Sequence, residues 1–158
     1  MKRIFTLLAT ALLLANTPVM AQMPAALLDN AAVTGTPEQW KAARPALLAA
    51  LECRKKLNPK DPALRPLLTK KIDLTLIPPQ GFTAFGLPVQ SIHIATTDPD
   101  DEVSYGTVVA ATDAMAEKAV KPYKKKAKGE LMVILGDKPS LSNVVCDFSE
   151  NYDQNFVD

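Results

Sequence analysis

Two cysteines, Cys53 and Cys146, are the residues whose chemistry is easiest to assign. In an oxidising compartment such a pair forms one internal disulfide and leaves no thiol over. No Cys-x-x-Cys motif occurs, which argues against a redox-active pair. We therefore predict a structural Cys53–Cys146 bridge, with a buried reduced pair or bridges between chains as alternatives. Closing a loop of about 94 residues stabilises a fold by roughly 4–5 kcal/mol on the chain-entropy model.

His93 is the only histidine, and an imidazole could act as a general base. It lies between Ile92 and Ile94, so it should point away from the face that those two residues bury. A single histidine cannot build a multi-histidine metal site. No Gly-x-Ser-x-Gly motif supplies a nucleophile, although sequence order alone leaves a Ser-His-acid triad open. We expect a non-catalytic protein without a metal site or a cofactor.

An acidic cluster formed by Asp98, Asp100, Asp101 and Glu102 falls in a predicted hairpin loop. It lacks the glycine and the distal glutamate of a helix-loop-helix calcium site. A solvated turn is the plainest interpretation. Calcium binding and contact with a basic partner protein are the alternatives, and in the second case the charge would mainly speed association.

A basic segment follows the second predicted helix and contains Lys121, Lys124, Lys125, Lys126 and Lys128. Cations near the carboxyl end of a helix are favoured by its dipole, which accounts for the first of them. The run of three consecutive lysines exceeds that need. It is either a solvated linker or a binding site for anionic lipid, lipopolysaccharide, peptidoglycan carboxylates or an acidic protein.

An apolar segment with glycines contains Phe82, Phe85 and Leu87 beside Gly81 and Gly86. Such a segment can form a contact ridge for a partner protein. The more common outcome is that its aromatic side chains fold under and seal one end of a sheet. We keep the three apolar residues as candidate partner-binding residues.

The first 21 residues predict the compartment in which these groups act. Lys2 and Arg3 precede the apolar run Ile4–Leu14, and small side chains at the two positions that signal peptidase recognises, Val19 and Ala21, predict cleavage before Gln22. The run is too short to span a bilayer, and no cysteine follows the cut to take a lipid. We expect a periplasmic protein with a signal peptide at 1–21, a loose arm at 22–35 and one disulfide-stapled domain at 36–158.

The charge balance limits the class of partner. Removing Lys2 and Arg3 leaves 16 basic residues against 17 acidic ones, a net charge of −1. A nearly neutral chain gives no global attraction to nucleic acid. We expect a protein partner in the bacterial envelope and no transmembrane segment after cleavage.

Helix signals occur at two main places. Thr36, Pro37 and Gln39 predict a capped helix running to about Leu57, with Pro45 breaking or kinking it and Cys53 on the flank of its apolar stripe. Later signals predict a short helix at 61–68 and a second main helix from Thr112 to about Lys121. In this second main helix Met115 and Ala119 should face inward, and Pro122 should end or kink it.

Strand signals fill the space between the helices. Ile72, Leu74 and Leu76 alternate and should face inward. One further strand is predicted from 82–85 through 89–96, broken at 86–88 by a bulge or bend, and others are predicted at 103–111, 130–135 and 141–148. The helix and strand signals together predict a two-layer α+β domain. A mostly antiparallel sheet of four to five strands has the N-terminal helical segment and one further helix packed on one face.

The order of strand, strand, helix and strand from Val89 onward resembles the C-terminal domain of TonB-like proteins in its rhythm around Val108–Val120. This resemblance implies no residue roles. Periplasmic lysozyme inhibitors are similar in size, compartment and disulfide, but Ser104-Tyr105-Gly106 departs from their usual inhibitory-loop pattern.

These features together predict a non-catalytic periplasmic binding protein that inhibits or neutralises another protein, as inhibitors and toxin-immunity proteins do. An envelope structural or assembly factor that binds lipid or peptidoglycan through the lysines is the first alternative. A small hydrolase with an unrecognised site around His93 is the second.

Overall fold

The computed structural model of the chain describes residues 33–97 and 103–148. The predicted signal peptide, the arm before residue 33, the acidic residues Asp98–Glu102 and the last ten residues lie outside that range. The elements are α1 (Pro37–Leu51), β1 (Ile72–Leu76), β2 (Thr83–Ala84), β3 (Leu87–Thr96), β4 (Ser104–Val109), α2 (Asp113–Lys124), β5 (Glu130–Leu135) and β6 (Ser142–Asp147).

The predicted α+β class is confirmed. The sheet has the order β1-β3-β4-β6-β5, and β2 pairs with β3 outside that path. Every pair is antiparallel, and the described sheet has six strands, one more than the upper expectation. Because β6 lies between β4 and β5, those two strands run in the same direction, and α2 is the crossover that connects them.

The two faces of the sheet differ, as alternation along the strands requires. Ile92, Ile94, Tyr105 and Val144 are buried on one face, against which α1 and α2 pack. Side chains at the alternate positions, such as His93, are exposed or half-buried on the other face. The helices therefore cover one side of the sheet, as predicted.

The start of α1 matches the sequence prediction and its end does not. Thr36 and Gln39 form the capping box, and Pro37 is the first helical residue. The helix ends at Leu51 rather than near Leu57. Arg54 N–H donates to Ala49 O at 2.8 Å and Cys53 N–H donates to Ala50 O at 2.9 Å, while Cys53 takes φ 58°. This is a Schellman motif with cysteine at the position that glycine usually occupies.

The disulfide between Cys53 and Cys146 is present, which confirms the predicted pairing. The expected location of Cys53 on the helix flank was wrong, since it lies two residues beyond the end of α1. The two Cα atoms are 5.3 Å apart, so the bridge ties the turn after α1 to the last strand.

Both helices continue through an internal proline. Pro45 and Pro122 are exposed, whereas Ala43 and Leu47 on α1 and Val120 on α2 are buried. A proline removes one backbone hydrogen bond, and here its ring lies on the solvent side while buried neighbours hold the helix. The alternative of two separate helices at Pro45 was wrong.

The predicted short helix at 61–68 is instead a series of turns. Leu64 N–H and Arg65 N–H both donate to Asp61 O, and Leu67 N–H donates to Leu64 O at 2.9 Å. Leu64 and Leu67 are fully buried, so the segment is fixed by packing without forming a regular helix.

Residues 33–35, the described part of the predicted arm, are hydrogen-bonded to the rest of the fold. Thr34 N–H donates to Ile77 O, and Ile77 N–H donates to the Thr34 hydroxyl, both at 2.9 Å. Trp40 Nε1–H also donates to Thr34 O. Residues 33–35 are therefore held against the end of β1, contrary to the expectation of a loose arm up to Gly35.

Two inward-facing predictions were wrong. Ile72 is 63% exposed, because the strand alternation is interrupted at Asp73, whose φ is 50°. Met115 is 55% exposed, and the buried positions of α2 are Ala116 and Val120. The inner face of α2 is therefore shifted by one residue from the predicted one, although Ala119 does pack against the core.

Candidate functional site

An open groove of about 740 Å³ lies between the turn after α1, the β2–β3 turn and the carboxyl half of α2. A volume of this size is typical of ligand sites in proteins. We call this feature the aromatic groove, and its lining residues are Glu52, Arg54, Phe85, Ala119, Pro122, Tyr123 and Lys126.

Three local structures position the lining residues. The Schellman motif turns the chain after Leu51 and presents Arg54 to solvent. The two-residue turn between β2 and β3 places Phe85. Residues 119, 122, 123 and 126 have the spacing of one helical face, so α2 and its carboxyl end contribute four side chains to the same wall.

The floor of the groove is aromatic. The rings of Phe85 and Tyr123 meet edge to face with centroids 5.2 Å apart. Phe85 takes φ 57° and Gly86 takes φ 75°, as in the type I′ turns that join antiparallel strands. A positive φ is sterically unfavourable for phenylalanine, and the burial of Phe85 against Tyr123 compensates for that strain.

The expected break at Gly86–Pro88 is therefore displaced. The turn consists of Phe85 and Gly86, and β3 begins at Leu87. The irregularity in the strand pairing comes later, between Val89 and Ser91. Leu87 is half-buried and packs against the core.

Two of the three apolar candidates do not form an exposed ridge. Phe82 and Phe85 are 4% and 6% exposed. Phe82 is covered by Trp40, with ring centroids 5.2 Å apart, and by the Arg44 guanidinium 5.0 Å from its ring. Phe82 therefore supports the core, and Phe85 contributes only a small exposed part of its side chain to the groove.

The rim of the groove is charged. Arg54 and Lys126 are exposed cations in the lining, contributed by the turn after α1 and by the residues that follow α2. Glu52 accepts from Arg54 Nε at 2.7 Å and is the one acid in the lining. Aromatic side chains and cations in one groove suit a ligand with both an apolar and an anionic group.

The basic segment lies beside a second run of cations that sequence reasoning missed. Lys128 N–H donates to Cys53 O at 2.7 Å, which joins the segment after α2 to the turn after α1. We call the combined surface the basic corner. Its cations are Arg54, Lys55, Lys56, Lys124, Lys125, Lys126 and Lys128.

A glycine permits the segment after α2 to lie close against the end of β6. A side chain at Gly129 would clash with the carbonyl oxygen of Asp147 and meet the Phe148 ring at 3.1 Å. Lys121 and Lys124 lie in the last turn of α2, where the helix dipole favours them, and Lys124 pairs with exposed Glu117 at 3.2 Å. Lys125 caps the helix, and Lys126 and Lys128 follow it.

The acidic cluster and the apolar segment are separated in the sequence by the whole of β3. Phe85 precedes the first residue of β3, and Asp98 to Glu102 follow its last residue. Ten residues of strand span roughly 30 Å. Contact of either segment with a partner stays a prediction. The cluster itself lies outside the described residues, so its role stays a prediction.

His93 points away from Ile92 and Ile94, as predicted, and lines a shallow cleft of about 290 Å³ on the uncovered face. Its Nδ1 lies 3.1 Å from the Thr75 hydroxyl and its Nε2 lies 3.1 Å from the Ser91 hydroxyl. A serine beside an imidazole is a partial nucleophile–base pair. The group that orients this ring is a hydroxyl rather than a carboxylate.

The residues described at 33–97 and 103–148 bring no three His, Cys, Asp or Glu side chains together to hold a metal ion. The same part of the chain includes no helix with the length and apolar character to cross a membrane. The chain matches no protein-family model, no curated protein and no solved structure.

Sequence reasoning found Phe85 and Lys126 but not their partners in the groove. Tyr123 and Ala119 could have been recognised by their spacing of four residues on one helical face. No sequence pattern places Arg54 in the groove, because its position depends on where α1 ends.

Proposed function

We propose that this chain is a non-catalytic binding protein, exported to the periplasm, that inhibits or neutralises another protein by direct contact. The observation that carries the proposal is the aromatic groove, an open site with an apolar floor and two cations at its rim. The partner segment that fits it presents a carboxylate beside an apolar or aromatic side chain.

Aromatic side chains and arginine supply much of the energy at protein interfaces, which supports this assignment. Tyr123 is half-buried and Arg54 is exposed, so both can lose further surface to a partner. The seven cations of the basic corner add long-range attraction for an acidic partner, which mainly raises the association rate.

The test is affinity capture from periplasmic extracts with the oxidised full-length protein. The wild-type chain should retain a protein that Tyr123→Ala together with Lys126→Glu releases. Lys138→Glu, an exposed cation in the β5–β6 turn, is the matched control and should retain it. A partner retained equally by all three proteins would remove the groove from the binding site.

An envelope factor that binds lipid or peptidoglycan is the second candidate, favoured by the joining of Arg54–Lys56 to Lys124–Lys128 in one surface. Clustered cations attract anionic lipid. Under that alternative the protein should bind anionic vesicles, and binding should fall as Lys124, Lys125 and Lys126 are changed to glutamine. The groove variant Tyr123→Ala should then bind vesicles like the wild type.

A further inference from the structure

We propose that the aromatic groove is occupied in the free protein by the chain's own last ten residues, Ser149–Asp158. The proposal does not depend on the identity of a partner. It follows from where the described chain ends, how far that segment can reach and what side chains it carries.

The chain leaves the fold beside the basic corner. Phe148 N–H donates to Val103 O at 2.9 Å, and the Phe148 ring meets the Tyr105 ring edge to face with centroids 6.0 Å apart. The same ring lies close over Gly129, which directly follows Lys128. The segment that begins at Ser149 therefore starts next to the lysines.

The distance to the groove is short because of the disulfide. Phe148 is two residues beyond Cys146, and Arg54 is one residue beyond Cys53, whose Cα lies 5.3 Å from that of Cys146. With about 3.8 Å per residue, the Cα atoms of Phe148 and Arg54 are at most about 17 Å apart. Ten extended residues span about 33 Å.

The side chains of the segment complement those of the groove. The sequence Ser-Glu-Asn-Tyr-Asp-Gln-Asn-Phe-Val-Asp contains three carboxylates and two aromatic rings, and it contains no lysine or arginine. Glu150 and Asp153 precede Phe156, so carboxylates can meet the rim while an aromatic ring reaches the floor. The groove offers the opposite set, since Arg54 and Lys126 line it together with Tyr123.

Intramolecular docking also raises the effective concentration of the segment to the millimolar range, so weak contacts suffice. A partner must then displace the segment, and its own binding segment should carry the same combination of acidic and aromatic side chains. The groove would be self-blocked until such a partner arrives.

Photo-crosslinking of the oxidised full-length protein tests the proposal. Benzoylphenylalanine at position 156 should crosslink within one chain to residues 52–54 or 119–126, identified by mass spectrometry of peptides from the monomer. Benzoylphenylalanine at Leu135, which is 78% exposed on β5, is the control and should give no groove product.

Charge reversal distinguishes docking from random contact. Glu150→Lys with Asp153→Lys should lower the yield of the groove crosslink about fivefold, since two exposed ion pairs are lost. Adding Arg54→Glu and Lys126→Glu to that protein should restore it. Failure of the restoration, or crosslinks spread over surfaces outside the groove, would overturn the proposal.

Two further outcomes also decide against it. A product of dimer mass that grows with concentration would assign the segment to the groove of a second copy. A groove crosslink unaffected by charge reversal would mean that the carboxylates do not bind. A failed crosslink with intact partner capture would leave the proposed function standing.

Discussion

At the scale of single residues, the ionisation of the Tyr105 phenol depends on folding and can be measured. Its ring is 1% exposed, and its hydroxyl accepts from Leu57 N–H at 2.8 Å. Burial raises the pKa of Tyr105 from 10.0 to about 12, and the hydrogen bond from Leu57 opposes part of that rise. The folded protein therefore keeps the phenol proton at a pH where the unfolded chain loses it.

The Tyr105→Phe variant should lose about 1–3 kcal/mol of unfolding free energy at pH 7, because the buried Leu57 N–H loses its acceptor. The contribution of the raised pKa is complete below pH 10 and declines as the pH rises toward about 12. The stability gap between wild type and variant should therefore narrow between about pH 10 and pH 12. Denaturant titrations at each pH measure it, and parallel curves would contradict the account.

His93 is the residue at which an enzymatic function would have to act. We predict that His93→Ala leaves partner binding within about threefold, whereas a general base contributes roughly 10²–10⁴-fold to a rate. Ser91→Ala should behave in the same way, since its hydroxyl is the other member of the contact at 3.1 Å. Labelling of Ser91 by a serine-reactive phosphonate, dependent on His93, would revive the hydrolase alternative.

At the scale of elements, the sequence was most informative where a local motif determines the structure. Thr36 and Gln39 indicate the start of α1, and the alternation of apolar residues identifies β1. The end of α1 could not be read in the same way. The usual marker of a Schellman motif is glycine, and the residue in that position is Cys53.

The groove could not be predicted because it joins distant segments. Phe85 meets Tyr123 only because β2 and β3 turn at Phe85 and Gly86 and because α2 crosses over to β5. Nothing in the local sequence specifies that β6 separates β4 from β5. Such pairings are non-local, and hydrophobic periodicity specifies faces rather than neighbours.

The disulfide connects these elements and should be a main source of their stability. Replacing both cysteines, Cys53→Ala with Cys146→Ala, should lower the free energy of unfolding by about 2–5 kcal/mol, the usual effect of removing a native bridge. The double change avoids a stray thiol. Equilibrium denaturation measures the loss, and a thiol assay finding two free cysteines in the exported wild type would refute the bridge.

At the scale of the whole molecule, charge and apolar surface are distributed unequally. The basic corner lies where α1, α2 and the last strand meet, and exposed Met115 and Leu135 lie near the opposite end of α2. Partner recognition through the groove would therefore use one corner of the domain and leave the uncovered sheet face free.

Export is the premise that places this surface in the envelope. We predict a mature chain that begins at Gln22, because small residues end at Ala21 in the pattern that signal peptidase recognises. Intact-mass measurement on the periplasmic fraction checks it. A product that retains Met1 would remove the argument for the compartment and for the oxidised cysteines.

The most direct test of the central claim is the dissociation constant of the captured partner measured against groove variants. Arg54→Glu with Lys126→Glu should weaken binding at least about tenfold, with a marked dependence on salt, because both rim charges are reversed. Lys138→Glu should bind like the wild type at every salt concentration. Equal dissociation constants for the groove variant and the wild type would contradict a partner-binding role for the aromatic groove.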